Sequence, residues 1–290
     1  MMEIPLHRVS GIGRGSRDIG FSLALLVLVG ILPVVAYSAG MAWLFVNHET
    51  AAVKAELAGT SRALTVAVDR ELNSQVAAMG VLAADQSLDS GDSGDFSGFA
   101  ERTRRVRAGH PEWLKATRSD PRSPAGVAAA GPMPDPVPAT NAPMAGDEVV
   151  ATGRPLVVGA FASGTITQRP VILLMAPVIR DGVVRTVMAV ALDPAAVEGI
   201  LAEQQLPAGW TGVVLDANLR VAGRLPQSGP YIGRAATVSQ VTHIAAADRG
   251  LFEAFTQEGD PVYTVFSRSP ASGWSVVIGI PAKSPLGKSH

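Results

Sequence analysis

Residues 19–47, IGFSLALLVLVGILPVVAYSAGMAWLFVN, contain no Asp, Glu, Lys, Arg or His. A hydrocarbon core needs only about 20 helical residues to cross, so this stretch is long enough to span a bilayer. A cleaved signal peptide has a shorter apolar region, about 7–15 residues, closed by a small-x-small site. AYSAG (36–40) lies inside the apolar run and makes a poor site of that kind, so an uncleaved anchor is expected, with Pro33 tolerated as a kink. Arg8, Arg14 and Arg17 precede the span, and Lys54 and Arg62 follow it. This bias favours a cytoplasmic tail (1–18) and puts residues 48–290 in the periplasm of a bacterium.

Charge and cysteine content narrow the chemistry. Lys and Arg number 24 against 25 Asp and Glu, without the basic excess that phosphate backbones demand, so nucleic acid is not an expected partner. With Cys 0, thiolate catalysis, disulfides and Cys-type zinc sites are excluded. The length suits roughly two ordinary domains.

Beyond the span, Leu57, Leu64, Val68, Leu72, Val76, Met79 and Leu82 recur at the spacing of one helical face, predicting a stalk helix over 48–84. That face could cover the chain's own domain, form a dimer seam, or do both. DSGDSGDFSG (89–98) reads as a loop and FAERTRRVRAGHPEW (99–113) as a basic helix. Residues 124–146 are so rich in Pro, Gly and Ala that an irregular loop is expected. Strand signals follow at 155–161, 169–179 and 183–192, the last two joined by a hairpin turn at Arg180-Asp181-Gly182. The apolar run at 171–176 suggests a strand covered on both sides, and PAAVEGILAEQQL (194–206) a helix with Pro194 in its first turn.

The pattern then restarts. GWTGVVLDANLRVAGR (209–224) predicts strand, Asp-Ala-Asn turn and strand, and PVYTVFSRSPASGWSVVIGIP (261–281) a hairpin around PASG. Trp113–Asp120 is similar to Trp210–Asp216, and the turn at 180–182 to that at 270–273, which suggests an internal duplication of strand-rich modules.

Apparent catalytic motifs dissolve on inspection. GDSG (91–94) has the letters of a serine-protease nucleophile, yet only His7 and His48 precede it. GIGRG (11–15) lacks the preceding strand and soluble helix of a phosphate loop. Asp89, Asp92 and Asp95 miss the alternate spacing of calcium loops. His110 and His243 stand without metal-ligand spacing, and Asp193, Asp216 and Asp248 are scattered singly. No catalytic residue and no cofactor is expected.

The stalk, EWLKATRSD, ATGRPLVVGAF, RPVILLMAPVIRDGVVRTVMAVALDP, LPAGWTGVVLDANLRVAGR and SRSPASGWSVVIGIP together resemble the double Cache sensory domain of bacterial receptors, over about residues 47–283. The resemblance is nearest to those of alphaproteobacterial sensor histidine kinases. It implies an α+β fold: a long transmembrane and stalk helix, then two tandem PAS-like modules, each a central antiparallel sheet with flanking helices. The expected boundaries are a membrane-distal module at 85–200 and a membrane-proximal one at 201–283. In the family a second transmembrane helix and an output domain follow, where this chain has the stub 284–290, so a fragment of a longer receptor is expected.

The family binds small molecules, often organic acids or amino acids, in the distal module. Its amino-acid-binding members carry an Arg-x-Trp-Tyr run and an Asp at the end of the last distal strand. Asp193 matches that Asp and Trp113 the Trp, but Leu114 rather than Tyr follows and the nearest preceding Arg is Arg107. Trp113 equally suits a core position, and Asp193 a helix cap. A small anion would want a cation and oriented donors on an apolar wall, which selects Arg118, Phe161, Thr165 and Arg169. The expected partners are thus a small-molecule ligand, the membrane and a second copy of the chain. A chemoreceptor or diguanylate cyclase input domain, a periplasmic hydrolase and a ligand-free scaffold are the alternatives.

Overall fold

The computed structural model describes residues 15–85, 97–120, 123–129, 142–163 and 167–282. The chain divides into two units, Met1–Val53 and Lys54–His290. Helix α1 runs Gly15–Ala84, and the contacts given below are those of its residues within the second unit. Of the side chains in 19–47, those of Ile31, Leu32, Pro33, Val35, Tyr37, Ser38 and Met41 are described, and all are exposed. Among the described residues no helix is long and apolar enough to cross a membrane.

The second unit is built on two five-stranded antiparallel sheets. The first holds β1 (Trp113–Asp120), β2 (Ser123–Ala129), β3 (Leu156–Phe161), β4 (Val171–Arg180) and β5 (Val183–Leu192). The second holds β6 (Thr211–Leu215), β7 (Val221–Leu225), β8 (Arg249–Phe255), β9 (Pro261–Arg268) and β10 (Ser275–Pro281). Their orders, β2-β1-β5-β4-β3 and β7-β6-β10-β9-β8, are one topology used twice. The sequence similarity of 113–120 to 210–216 falls on the first strand of each sheet, and the two similar turns fall in the last hairpin of each. At the β4–β5 turn, Asp181 and Gly182 have φ of 53° and 75°, the conformation a two-residue hairpin requires.

Five helices are described. After α1 come α2 (Ser97–Gly109), α3 (Ala142–Thr152), α4 (Ala195–Glu203) and α5 (Val238–Ala246). α1 buries Leu57, Leu64, Val68, Leu72, Met79 and Leu82, the stripe its periodicity predicts, with Val76 half-buried. It is pinned to both sheets. Ser61 Oγ donates to the Val276 carbonyl (3.0 Å) and Thr65 Oγ1 to the Ser267 carbonyl (3.1 Å). The Asp69 carboxylate accepts from Ser269 Oγ (2.6 Å) and Ser272 Oγ (2.5 Å), gripping the PASG turn. Farther along, Gln75 meets Trp113 of β1, and Arg180 donates to the Ala83 (3.0 Å) and Asp85 (2.7 Å) carbonyls.

Two expectations need correction. The stretch 124–146 is not wholly irregular: β2 occupies its start and α3 its end, while 130–141 lie outside the described residues. Pairing with β1 supplies β2 with the hydrogen bonds that its Ala- and Gly-rich sequence would not secure alone. The basic helix expected over 99–113 ends at Gly109, because the residue before Pro111 is pushed out of the helical region, and Trp113 opens a strand. Elsewhere, α4 packs on β7 and β6: Val197 and Glu198 lie against Gly223, and Leu201, with Leu206 just beyond the helix, against Gly212.

Candidate ligand-binding site

The strand register sorts the first sheet into two faces. Trp113 pairs with Leu192 and Lys115 with Ala191, a register shift that places a bulge at Leu114. Trp113, Ala116 and Arg118 consequently share one face with Leu192, Val190 and Met188, and Lys115, Thr117 and Ser119 share the other with Ala191, Ala189 and Val187. The first face meets α1. Trp113 is fully buried there, its Nε1–H donating to Gln75 Oε1 (2.6 Å), while Gln75 Nε2 donates to Glu112 Oε1 (2.7 Å).

The second face is covered by α3. Ala145 and Val149 pack on Met175 and Val187, with Leu156, Val158, Leu173, Val184 and Ala189 around them. Beyond this cluster the face is half-buried. It presents Lys115, Thr117 and Ser119 of β1, Ala191 of β5 and Phe161 of β3, with Ala189 and Leu173 at the border of the cluster. Small alanines between a cation and hydroxyls on one side and an aromatic on the other make a floor suited to a small polar ligand.

The residues selected from sequence are distributed as follows. Phe161 pairs with Val171 at the end of β3, Arg169 lies two residues before β4 begins, and Asp193 follows β5. All three lie at one end of the sheet. Arg169 Nη2 stands 3.9 Å from Asp193 Oδ2, an exposed and long pair worth little by itself. Asp193 Oδ1 also accepts from the Ala195 N–H (2.9 Å) at the start of α4. Trp113 is at the same end of the sheet but on the α1 face, and Arg118 is on that face as well. Thr165 lies outside the described residues, as do GDSG (91–94) and the aspartates at 89, 92 and 95. The cation that the α3 face does receive, Lys115, escaped sequence reasoning. Its signal was the alternation K-A-T-R-S after Trp113, which is readable once the bulge is known.

The two sheets meet at β3. Asp216, at the β6–β7 turn and 1% exposed, accepts from the Ala160 N–H of β3 through Oδ2 (2.8 Å) and from Asn218 and Arg220 N–H through Oδ1 (2.9 Å each). Burial raises this carboxyl above the usual aspartate range against the pull of those donors and of Arg220. Gly159 (φ 133°) lets the carboxylate approach, since a Cβ there would overlap Asp216 Oδ2. Gly233 (φ 77°) does the same where its loop abuts the Phe161–Ala162 backbone.

His110 Nδ1 lies 3.0 Å from Glu112 Oε1, and the ring stacks on Trp113. His243 stacks on Phe252, with Nδ1 2.8 Å from the Ser239 carbonyl. Among the described residues no cluster of three metal-ligating side chains occurs.

No protein-family model matches the chain, and no curated protein matches it. Solved structures do. The extracellular domain of a protein described as a histidine kinase superposes with a TM-score of 0.65 at 16% identity, over 82% of this chain and 98% of that one. The ligand-binding domain of Pseudomonas fluorescens chemoreceptor CtaA, in complex with L-isoleucine, gives 0.60 at 9%, over 83% and 96%. The periplasmic sensory domain of the Campylobacter jejuni chemoreceptor Tlp1 gives 0.59 at 12%, over 82% and 98%. The likeness is one of fold. These extracellular, ligand-binding and periplasmic sensory domains share the fold over 82–83% of this chain.

Proposed function

We propose that the chain is the extracytoplasmic ligand-sensing input region of a membrane-bound bacterial signal-transduction receptor. In this reading residues 19–47 anchor it in the inner membrane and 48–290 are periplasmic. The module at 85–200 is membrane-distal and takes the ligand; the module at 201–283 is membrane-proximal. The observation that carries the reading is the double-sheet fold shared with extracellular and periplasmic ligand-binding domains.

The ligand is a small polar molecule, an amino acid or organic acid, held on the α3 face of the first sheet. Lys115 supplies charge, Thr117 and Ser119 supply hydroxyls, Phe161 and Ala191 supply wall and floor, and Arg169 with Asp193 borders the site. Because α1 is fastened to β1 through Gln75 and to the second sheet through Ser61, Thr65 and Asp69, a shift of one sheet is felt along the stalk helix. In a homodimer that biases two stalk arrangements, by about 1–3 kcal/mol if coupling is of ordinary size. A histidine kinase is the proposed output. The chemoreceptor domains of the same fold, seen with amino acids, favour a chemoreceptor as the second reading.

A thermal-shift screen of amino acids and small carboxylates against the full chain in detergent tests the proposal. One class should raise the melting temperature in a concentration-dependent way, and the gain should vanish in Lys115→Ala. No shift from any compound would leave a scaffold as the better account.

A further inference from the structure

The second sheet has two unlike ends. At one, Ser275 pairs with Leu215 and with Arg268, and the turns beyond are polar and already engaged: Asp216 holds Ala160 of the first sheet, and Asp69 of α1 holds the PASG turn. At the other end Thr211 pairs with Gly279, Val262 with Pro281, and Phe255 with Pro261, while the Ala282 N–H donates to the Pro261 carbonyl (3.1 Å). Gly209, in the turn closed by the Trp210 N–H on the Pro207 carbonyl (3.0 Å), abuts Pro281. The last rungs thus bring the 207–210 turn, the Phe255–Pro261 pair and Pro281 to a single rim.

This rim is apolar. No Asp, Glu, Lys or Arg occurs in 206–215, 261–267 or 275–282. Trp113 and Trp274 are buried in the second unit, whereas Trp210, at the rim, is only half-buried. Phe255 is 63% exposed, and among the described residues of that unit it is the one exposed Phe, Tyr or Trp. In the β8–β9 turn beside it, Glu258 is drawn onto Arg224 (2.6 Å) and Tyr231 (2.5 Å), which leaves Asp260 as the charge nearest the rim. A contiguous apolar edge of this kind marks a contact surface.

The direction of α1 says what covers it. Ser61 bonds Val276, Thr65 bonds Ser267, and Asp69 bonds Ser269 and Ser272, so α1 runs antiparallel to β10 and, followed backwards, leaves the sheet past Pro281. Lys54, the first residue of the second unit, is seven residues on from Asn47, the last of the apolar run. The chain can place no more than about 25 Å between those two. The rim is thus the end at which the chain arrives from the 19–47 run, and the polar end is the one turned to the first sheet. We propose that the rim rests in the headgroup layer of the bilayer, with Phe255 and Trp210 inserted at the interface, where an aromatic side chain keeps its ring in an apolar layer and its edge wet. The inference rests on 19–47 being a membrane anchor. With an acidic residue beside the rim and no basic cluster there among the described residues, the contact is apolar and indifferent to anionic lipid.

The chain has no cysteine, so single-cysteine variants of the full chain in phosphatidylcholine nanodiscs can each carry one nitroxide. Power-saturation EPR then reads its access to oxygen, which partitions into lipid, and to a water-soluble nickel chelate. The oxygen-to-nickel ratio at Phe255→Cys and Ala208→Cys should exceed that at Ala271→Cys, exposed in the PASG turn at the opposite end, by about threefold or more, and Val35→Cys should exceed both. Anionic lipid in the disc should change none of these. Phe255→Asp added to Ala208→Cys should return the 208 label to the value at 271. Labels at 255 and 208 as aqueous as that at 271, with the Val35→Cys label in lipid, overturn the proposal and leave the anchor standing. An aqueous Val35→Cys label overturns the anchor reading, and the proposal with it. Exclusion of both reagents at 255, with spin–spin broadening that dilution by unlabelled chain removes, would seat a second copy on the rim and overturn the proposal too.

Discussion

Asp216 Oδ2 accepts a hydrogen bond from the Ala160 N–H at 2.8 Å, so a turn of the second sheet satisfies the backbone of the first sheet's edge strand. The contact lies beside the bulge where β3 shifts register between Val157 and Gly159, and one strand residue away from Phe161. Whatever moves Phe161 is therefore felt at Asp216, and through it at β6 and β7.

Replacing this carboxylate should be costly. Asp216→Ala leaves the N–H groups of Ala160, Asn218 and Arg220 without their acceptor, and one buried unpaired donor costs about 1–3 kcal/mol. The urea midpoint should fall by an amount corresponding to about 2–4 kcal/mol, more than one donor because three are stranded. A change below about 0.5 kcal/mol would show that the junction is not held this way.

Gly233→Ala should loosen the same junction from the other side. The added methyl would overlap the Phe161–Ala162 backbone at a positive φ, and because the overlap is with main-chain atoms no side-chain adjustment relieves it. Unfolding in denaturant should move to lower concentration by the equivalent of about 2 kcal/mol or more. Gly182→Ala, which has a similar φ and open surroundings, should cost only the backbone strain of about 1 kcal/mol.

Trp113→Phe separates packing from ligand contact. The ring stays in the α1-facing core, but the bond to Gln75 Oε1 is lost, at a cost of about 1–2 kcal/mol. Ligand affinity should be unchanged within twofold, since Trp113 is on the face opposite Lys115. A large loss of affinity at normal stability would return Trp113 to the binding site.

Glu258 gives the pH signature. Burial acts to raise its carboxyl, but the Tyr231 hydroxyl (2.5 Å), its own backbone N–H, Thr256 and Arg224 outweigh this and hold it at about 2 instead of 4.5. The folded state binds that proton more weakly than the unfolded chain does. Its contribution is complete above about 4.5 and is lost as pH falls toward about 2. The difference in stability between wild type and Glu258→Gln should shrink across that window; a difference constant with pH would contradict the assignment.

What sequence could convey depended on how local the signal was. The α1 stripe from Leu57 to Leu82, the Asp181-Gly182 turn and the β9–β10 hairpin are set by neighbours along the chain, and all stand as read. β2 was not legible because its order comes from pairing with β1. α5 and β8 were legible but passed over. Thr237 and Gln240 form a reciprocal capping box, and Phe252 and Ala254 alternate inward from Leu251, Glu253 and Phe255. The candidate site suffered most from one residue. The bulge at Leu114 inverts the alternation that follows, placing Arg118 on the same face as Trp113 and Lys115 on the opposite one, and a bulge depends on partner strands that sequence does not display.

The most direct test is isothermal titration of the full chain with whichever amino acid or small carboxylate stabilises it, repeated on Lys115→Ala, Arg118→Ala and Trp113→Phe. Saturable binding that falls at least tenfold in Lys115→Ala and is kept in the other two is the predicted result. Binding that survives Lys115→Ala and disappears in Arg118→Ala would place the ligand on the wrong side of the first sheet for this account and contradict it.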